Sequence, residues 1–480
     1  MVGATTVTSK TIQPRRDGCS ESDRNQCRVC NEKCRRGRPQ HSTGPGRDPS
    51  GTPPLHASEL QASRLLMATP RNAHQSLCND AGEVVTGTLP AIVATASSFP
   101  PVLYTQEEIM EAFLKQHPHL SNDDIDFVQR VFRGTMYRTG PMYVNREDMF
   151  RKMSRVEYLD HVKPKLLDLS VRASKDAIDK WGGDLGSITH MIWGTMTGSI
   201  QAPTVDVQVA RQLGLSPAVK RLNVENMGCI TGFRCLGLAR DIAAADPRHV
   251  VLVVTADVRS ALGNQMSAHV PDTKVDRSHV IVSALFRDGA GAAIVTGTNM
   301  TSAPLWEIIS HESKMLPEES LNMVTMKERN DGIIKVSIDR HLPESIGAEL
   351  PSFVASLLEP HRIPIGSCCF AVHTGGPKVL RIVAESLGID PIRMGMSWTV
   401  LKRYGNLSGS SNLVVLDHVT RFLQQPDLFL SDADIEDNER FQLAEYCVCL
   451  SFGPGVSIEG ILLKNACWGS YSPDSNNARS

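Results

Sequence analysis

The residue with the clearest chemistry is Cys229, in the stretch Asn223-Val224-Glu225-Asn226-Met227-Gly228-Cys229-Ile230-Thr231-Gly232-Phe233. A β-type run over Arg221–Val224 stops at Gly228. A helical spacing of apolar residues (Leu236, Leu238, Ala239, Ile242, Ala243) begins soon after, so the thiol falls at a helix N-terminus. Unpaired backbone N–H groups and the positive end of the helix dipole favour thiolate over thiol there, which lowers the cysteine pKa and raises its reactive fraction. Gly228 and Gly232 let the backbone turn sharply and approach a ligand closely. A lone cysteine in apolar surroundings is otherwise a small core residue, and Cys235, further along the same helix, is expected to be one. Two further polar residues sit in Gly-rich motifs: His373 in Ala371-Val372-His373-Thr374-Gly375-Gly376-Pro377, and Asn406 in Tyr404-Gly405-Asn406-Leu407-Ser408-Gly409-Ser410. Taken singly, the first reads equally as a surface or core histidine and the second as a helix cap.

The elements that would position these residues alternate. Ala91–Ala96 reads as a buried strand, and a helix with the capping box Thr105/Glu108 follows Pro100-Pro101. Helices are expected at about 123–133, 158–182, 204–214 and 231–245, and strands near 188–195, 220–226 and 249–256. Past Phe286–Val295 the pattern runs again: helix 344–360, strand 368–373, helix 377–387 opening on Pro377, helix 409–424, and strands 445–451 and 455–463. Apolar strands alternating with helices mark a sheet covered on both faces. Each half has a strand leading to a candidate reactive residue, Cys229 and then His373. The expected fold is α/β, a duplicated five-layered αβαβα unit. Its halves are 87–300 and 301–466, with a disordered extension at 1–86 and a disordered tail at 467–480.

Composition bounds the rest. The chain has 480 residues, 41% hydrophobic and 21% charged, with a net charge of −2, so no electrostatic footprint for nucleic acid or an acidic membrane is evident. Apolar runs such as Val250–Val254 are strand-sized, and no membrane span is expected. The N-terminus has no apolar h-region, and its acidic residues Asp17, Glu21 and Asp23 oppose a mitochondrial presequence. Twelve cysteines in so long a chain are read as reduced thiols in a cytoplasmic protein. Residues 1 to 86 are rich in Ser, Thr, Pro, Gly and Arg, without sustained apolar periodicity. Cys19, Cys27, Cys30 and Cys34 lie there beside Lys33, Arg35, Arg36 and Arg38. A Cys-x-x-Cys pair can hold zinc, but the second half of a ribbon at the usual separation is missing, and no metal is expected.

Together with Ser451-Phe452-Gly453-Pro454-Gly455-Val456, the motifs around Cys229, His373 and Asn406 resemble the chalcone synthase family, the type III polyketide synthases of the thiolase fold. The resemblance covers roughly residues 89–465, including Leu213–Arg221 and Ala284–Gly289. The long N-terminal extension and the modest similarity to plant enzymes look more like the fungal branch. The resemblance implies that Cys229 takes an acyl starter from CoA as a thioester, and that His373 keeps it ionised and shares in the oxyanion hole. Asn406 would complete the hole for the enolate formed when malonyl-CoA loses carbon dioxide. It further implies that Ser408 lines the cavity, that Gly453, Pro454 and Gly455 shape the cyclisation space, and that Arg133 and Arg138 hold CoA phosphates. A homodimer without a cofactor is implied as well, with acyl-CoA and malonyl-CoA as substrates. Where plant enzymes have a Thr-Ser pair and then a Met reaching across the dimer, this chain has Met196-Thr197 and then Gln201-Ala202-Pro203. Val336 falls near one phenylalanine gatekeeper, and 259–277 is longer than in plant enzymes. Met196, Ala202 and Val336 suggest an apolar channel for a long fatty acyl starter, giving pyrones or resorcinol-type products.

Three alternatives share some of these features. A ketoacyl synthase III-like enzyme of fatty-acid synthesis has the same fold and a Cys-His-Asn set, but His373 followed by Thr-Gly-Gly-Pro and the Gly-Pro-Gly loop oppose it. A catalytically silent acyl-CoA-binding protein would be expected to lose the nucleophile. A zinc-binding regulator centred on the N-terminal cysteines would leave 89–465 unexplained.

Overall fold

The computed structural model describes residues 89–198, 202–267, 276–298, 303–330, 334–426 and 439–468, all within one compact unit, Asn72–Ser480. The N-terminal cysteines, Gln201, the middle of 259–277 and most of the tail lie outside the described residues. In the first half the elements run β1 (Ala91–Ser98), β2 (Leu103–Thr105), α1 (Gln106–Gln116), α2 (Asn122–Gly134), β3 (Thr139–Pro141), α3 (Arg155–Trp181), β4 (His190–Thr195), α4 (Val205–Leu213), β5 (Lys220–Glu225), α5 (Thr231–Ala245), β6 (Val250–Val258), α6 (Ser260–Ser267), α7 (Arg277–Leu285) and β7 (Asp288–Thr296). The second half adds β8 (Trp306–Met315), β9 (Val324–Glu328), β10 (Ile334–Ile338), α8 (Leu342–Leu358), β11 (Cys368–Val372), α9 (Pro377–Leu387), α10 (Gly395–Tyr404), α11 (Ser410–Gln424), β12 (Tyr446–Gly453) and β13 (Ser457–Asn465).

Nine strands form one sheet in the order β11-β12-β13-β8-β1-β7-β6-β4-β5. Its two halves meet at a short seam, where β1 pairs with β8 only through Ala91↔Glu307 and Ile92↔Trp306. The sheet folds about this seam around two helices. α5 packs on β4, β6 and β7 on one side and on β12 and β13 on the other, and α11 lies likewise between β1 and β7 and the β11–β12 pair. α3 covers the outer face of the first half and α8 that of the second. The result is the five-layered αβαβα, thiolase-like arrangement expected from the sequence. Burial explains the strand compositions: β6 (VVLVVTADV) and β7 (DGAGAAIVT) are buried almost throughout, so they lack the alternation of a one-sided strand.

The central helices begin with small residues, Thr231-Gly232 and Ser410-Ser411, where backbones approach closely. A Cβ at Gly232 of α5 would lie 2.5 Å from the Gly409 carbonyl oxygen, just ahead of α11. This contact brings the starts of the two central helices together. The Thr105 capping box is present, Thr105 accepting from the Glu108 N–H while the Glu108 carboxylate accepts from the Thr105 N–H. No sequence pattern pointed to α6, α7, α10, β8 or the β9–β10 hairpin. α6 is buried on every side and α10 nearly so, so neither turns a face to solvent that would set off an apolar stripe.

Candidate active site

Cys229 sits in a tight turn between β5 and α5. Asn226 and Gly228 have positive φ values of 64° and 66°. Gly228 is required sterically as well as by its φ, since a Cβ there would lie 2.1 Å from the Pro454 ring. A single 3-10 turn, Gly228–Ile230, carries the cysteine into α5. Met196 Sδ accepts from the Gly228 N–H at 3.2 Å, and the Thr231 hydroxyl donates to the Gly228 carbonyl at 2.6 Å.

His373 follows β11 directly, its N–H donating to the Leu450 carbonyl at 2.9 Å, and its ring is buried at 2% exposure. Asn406 is fixed through its backbone: it donates to the Leu285 carbonyl at 3.2 Å and accepts from the Arg287 N–H at 2.9 Å. Its Oδ1 accepts from the Ser408 N–H at 2.8 Å, a local Asx turn, and it does not cap α11.

Three side chains tie these loops together. Ser408 Oγ lies 4.0 Å from Cys229 Sγ. Asn412, on the first turn of α11, donates through Nδ2 to the Cys229 carbonyl at 2.8 Å, and its side chain also lies beside the His373 ring. Thr374 Oγ1 stands 3.0 Å from the Gly405 carbonyl and 2.9 Å from Ser411 Oγ, joining the His373 loop to the Asn406 loop. Among the described residues no hydrogen bond links Cys229 Sγ to His373 or to Asn406 directly, and His373 Nδ1 is buried without a partner.

Burial opposes the ionised thiol expected from the helix start. Burial pushes the Cys229 thiol up to about 12, outweighing Ser408 and the more distant Arg259, while Asp257 pushes the same way as burial. Burial also pushes the His373 imidazole down to about 4, with Asn412 opposing it. Both shifts run toward the neutral forms, thiol and imidazole. The Cys235 thiol, wholly buried within α5, is likewise raised to about 12.

The family profile described as "Chalcone and stilbene synthases, N-terminal domain" matches residues 81–299, and the corresponding C-terminal profile matches residues 307–467. The chain belongs to the type III polyketide synthases. It is similar to "Type III polyketide synthase 10" of Oryza sativa subsp. japonica, with 28% identity over 78% of this chain and 92% of that protein. "Bisdemethoxycurcumin synthase" of the same plant is 29% identical over 78% of this chain and 92% of that protein. "Probable polyketide synthase 1" of Dictyostelium discoideum is 30% identical over 70% of this chain, which spans only 10% of that protein's length. Among solved structures, the C-terminal type III polyketide synthase domain of "Steely1", a type I/III hybrid from Dictyostelium, superposes with a TM-score of 0.67 and 27% identity, covering 79% of this chain and 99% of that one.

The remaining residues marked in the sequence of this type III synthase distribute unevenly. Gly453 and Pro454 pack on the cysteine turn, and Gly455 (φ 71°) turns the chain into β13. Met196 lines a cavity of about 220 Å³ beside the turn, together with Tyr158, Met326 and the charged Arg155, Arg259, Glu225 and Glu328. Val336 is buried in a small cluster with Leu262, Met266, Val282, Phe286 and Ile334. Ala202 is exposed and does not line this cavity. Arg133 is exposed on the last turn of α2. Arg138 already grips the buried Glu439 through a bidentate pair at 2.6 and 2.8 Å.

Sequence reasoning missed Asn412 and Asp257. Asp257, buried at the end of β6, accepts from the Met196 N–H at 2.7 Å, Thr197 Oγ1 at 3.2 Å, and Ser410 through its N–H at 3.2 Å and Oγ at 3.0 Å. It thus joins the β4 end to the start of α11. A carboxylate inside an otherwise apolar β6 run was the available signal.

Proposed function

We propose that this type III polyketide synthase loads an acyl group from acyl-CoA onto Cys229, extends it with malonyl-CoA by decarboxylative condensation, and cyclises the product to a pyrone or resorcinol-type compound. The observation that carries the reading is the meeting of the Cys229, His373 and Asn406 loops at the starts of the two central helices, tied by Asn412, Ser408 and Thr374. In this reading Sγ gives its proton to His373 as it attacks the thioester carbonyl, because both groups rest neutral. His373 and the Asn406 amide then hold the enolate left by decarboxylation. Departure of carbon dioxide supplies the carbanion, so the reaction itself calls for no metal or redox cofactor.

We assign the chain to the cytoplasm and to a homodimer, with halves at 87–300 and 301–466. Among the described residues no helix is long and apolar enough to cross a membrane. Placement in the fungal branch rests on the N-terminal extension and on modest similarity to the plant enzymes. A long-chain fatty acyl starter is supported by Met196 in the cavity lining, but Ala202 is exposed and the lining includes charged side chains. CoA phosphates at Arg133 and Arg138 would require Arg138 to share or leave Glu439. Incubating the full chain with an acyl-CoA series and malonyl-CoA, with products identified by mass, tests the reading. Cyclised polyketides are expected. Hydrolysed starters or single ketoacyl thioesters alone would refute it.

A further inference from the structure

Arg259, the first residue past β6, is 3% exposed, yet it forms an ion pair with no carboxylate among the described residues. One terminal nitrogen donates to the Met196 carbonyl at 3.1 Å, the other lies 3.8 Å from the weakly accepting Met326 sulfur, and Nε has no partner. One face of the guanidinium sits 5.3 Å from the centroid of the Phe286 ring. An arginine carries five N–H donors, and most of these are unmet. The carboxylates nearby are otherwise engaged. Asp257 is taken up by Met196, Thr197 and Ser410, Glu225 accepts from Asn223 at 2.8 Å, and Glu328 faces Arg155 at 3.7 Å. Asp257 supplies an opposite charge nearby but no acceptor to the guanidinium, so its buried N–H donors stay unmet, and a ligand oxygen would satisfy them.

The cavity that Arg259 lines reaches the nucleophile's turn, since Asn226 and Met196 also line it and Met196 accepts from the Gly228 N–H. We infer that Arg259 is a specificity-determining residue that receives a carboxylate at the far end of the starter, so that the preferred starters are CoA monothioesters of dicarboxylic acids. This rests on Cys229 being the acyl acceptor. A fork-shaped guanidinium matches a carboxylate, whereas a methyl-ended chain would leave the donors unmet. The malonyl carboxylate is a poor candidate for this ligand, because a cation that stabilises it in the ground state opposes its departure as carbon dioxide. In loading, Sγ forms the new bond to the acyl carbon, the carbon–sulfur bond to CoA breaks, and the thiol proton ends on the CoA sulfur. The distal carboxylate is unchanged.

The test is thioester formation on Cys229 of the full chain, followed by mass, with succinyl-, glutaryl- and adipoyl-CoA against butyryl-, valeryl- and hexanoyl-CoA. At least one dicarboxylic starter should load on the order of ten-fold faster than the fatty starter of matching length. Arg259→Met should reverse the preference and Arg259→Lys should restore part of it, with melting curves confirming that both variants fold. If the wild type loads fatty starters faster at every length, the inference fails and the synthase reading stands. If no starter labels Cys229 and malonyl-CoA is not decarboxylated, the synthase reading fails and takes this inference with it.

Discussion

Burial acts in opposite directions on the two members of the proposed proton-transfer pair, raising the Cys229 thiol to about 12 and lowering the His373 imidazole to about 4. Both shifts favour the neutral forms, so the thiolate fraction near neutrality is small and grows with pH. Alkylation of Cys229 by iodoacetamide should therefore keep accelerating from about pH 6 to about pH 9. A rate already flat at the acidic end would reveal a preformed thiolate–imidazolium pair instead. The role proposed for the Asn406 amide is separable from folding, because its backbone is held by Leu285 and Arg287 whatever its side chain does. Asn406→Ala should slow malonyl-CoA decarboxylation by about 10²–10³, the usual loss for one oxyanion donor, with little change in melting temperature. An unchanged rate would leave Asn406 as a loop residue only.

At the scale of elements, the site depends on how closely α5 and α11 approach. Gly232→Ala places a methyl against the Gly409 carbonyl oxygen, a backbone atom that cannot swing aside. A destabilisation of about 1–3 kcal/mol is expected from such overpacking, together with loss of decarboxylation as the Ser408 loop moves from Cys229. Thermal melts and the decarboxylation assay check both, and a variant with full activity would show that the contact is not needed. Much of this layer was legible in sequence. The helix at 231–245 coincides with α5, that at 377–387 coincides with α9, and 409–424 misses α11 by one residue, because glycines and Pro377 punctuate them. The illegible parts have physical causes. α6 and α10 are buried nearly all round and lack an amphipathic period. The partnership of Cys229 with Asn412 spans 183 residues, a distance that no local pattern records. The effect of desolvation on the thiol was invisible for the same reason, since the helix start is local and the enclosing loops are not.

For the molecule as a whole, the apolar clusters of the described residues are assembled from Ala91 onward, and β1 is an interior strand that joins the two halves of the sheet. A chain beginning at residue 87 should thus melt within a few degrees of the full chain and retain malonyl-CoA decarboxylation, whereas one beginning beyond β1 should not fold. Equal loss of structure in the first truncation would put the boundary elsewhere. The proposed reaction turns on one covalent event, acyl transfer to a single thiol at the meeting point of both halves. Intact-mass and peptide mapping after brief incubation with an acyl-CoA measures it directly. One acyl group is expected, located on Cys229 and absent from Cys229→Ala. An acyl group found on Cys235, or continued polyketide formation by Cys229→Ala, would contradict it.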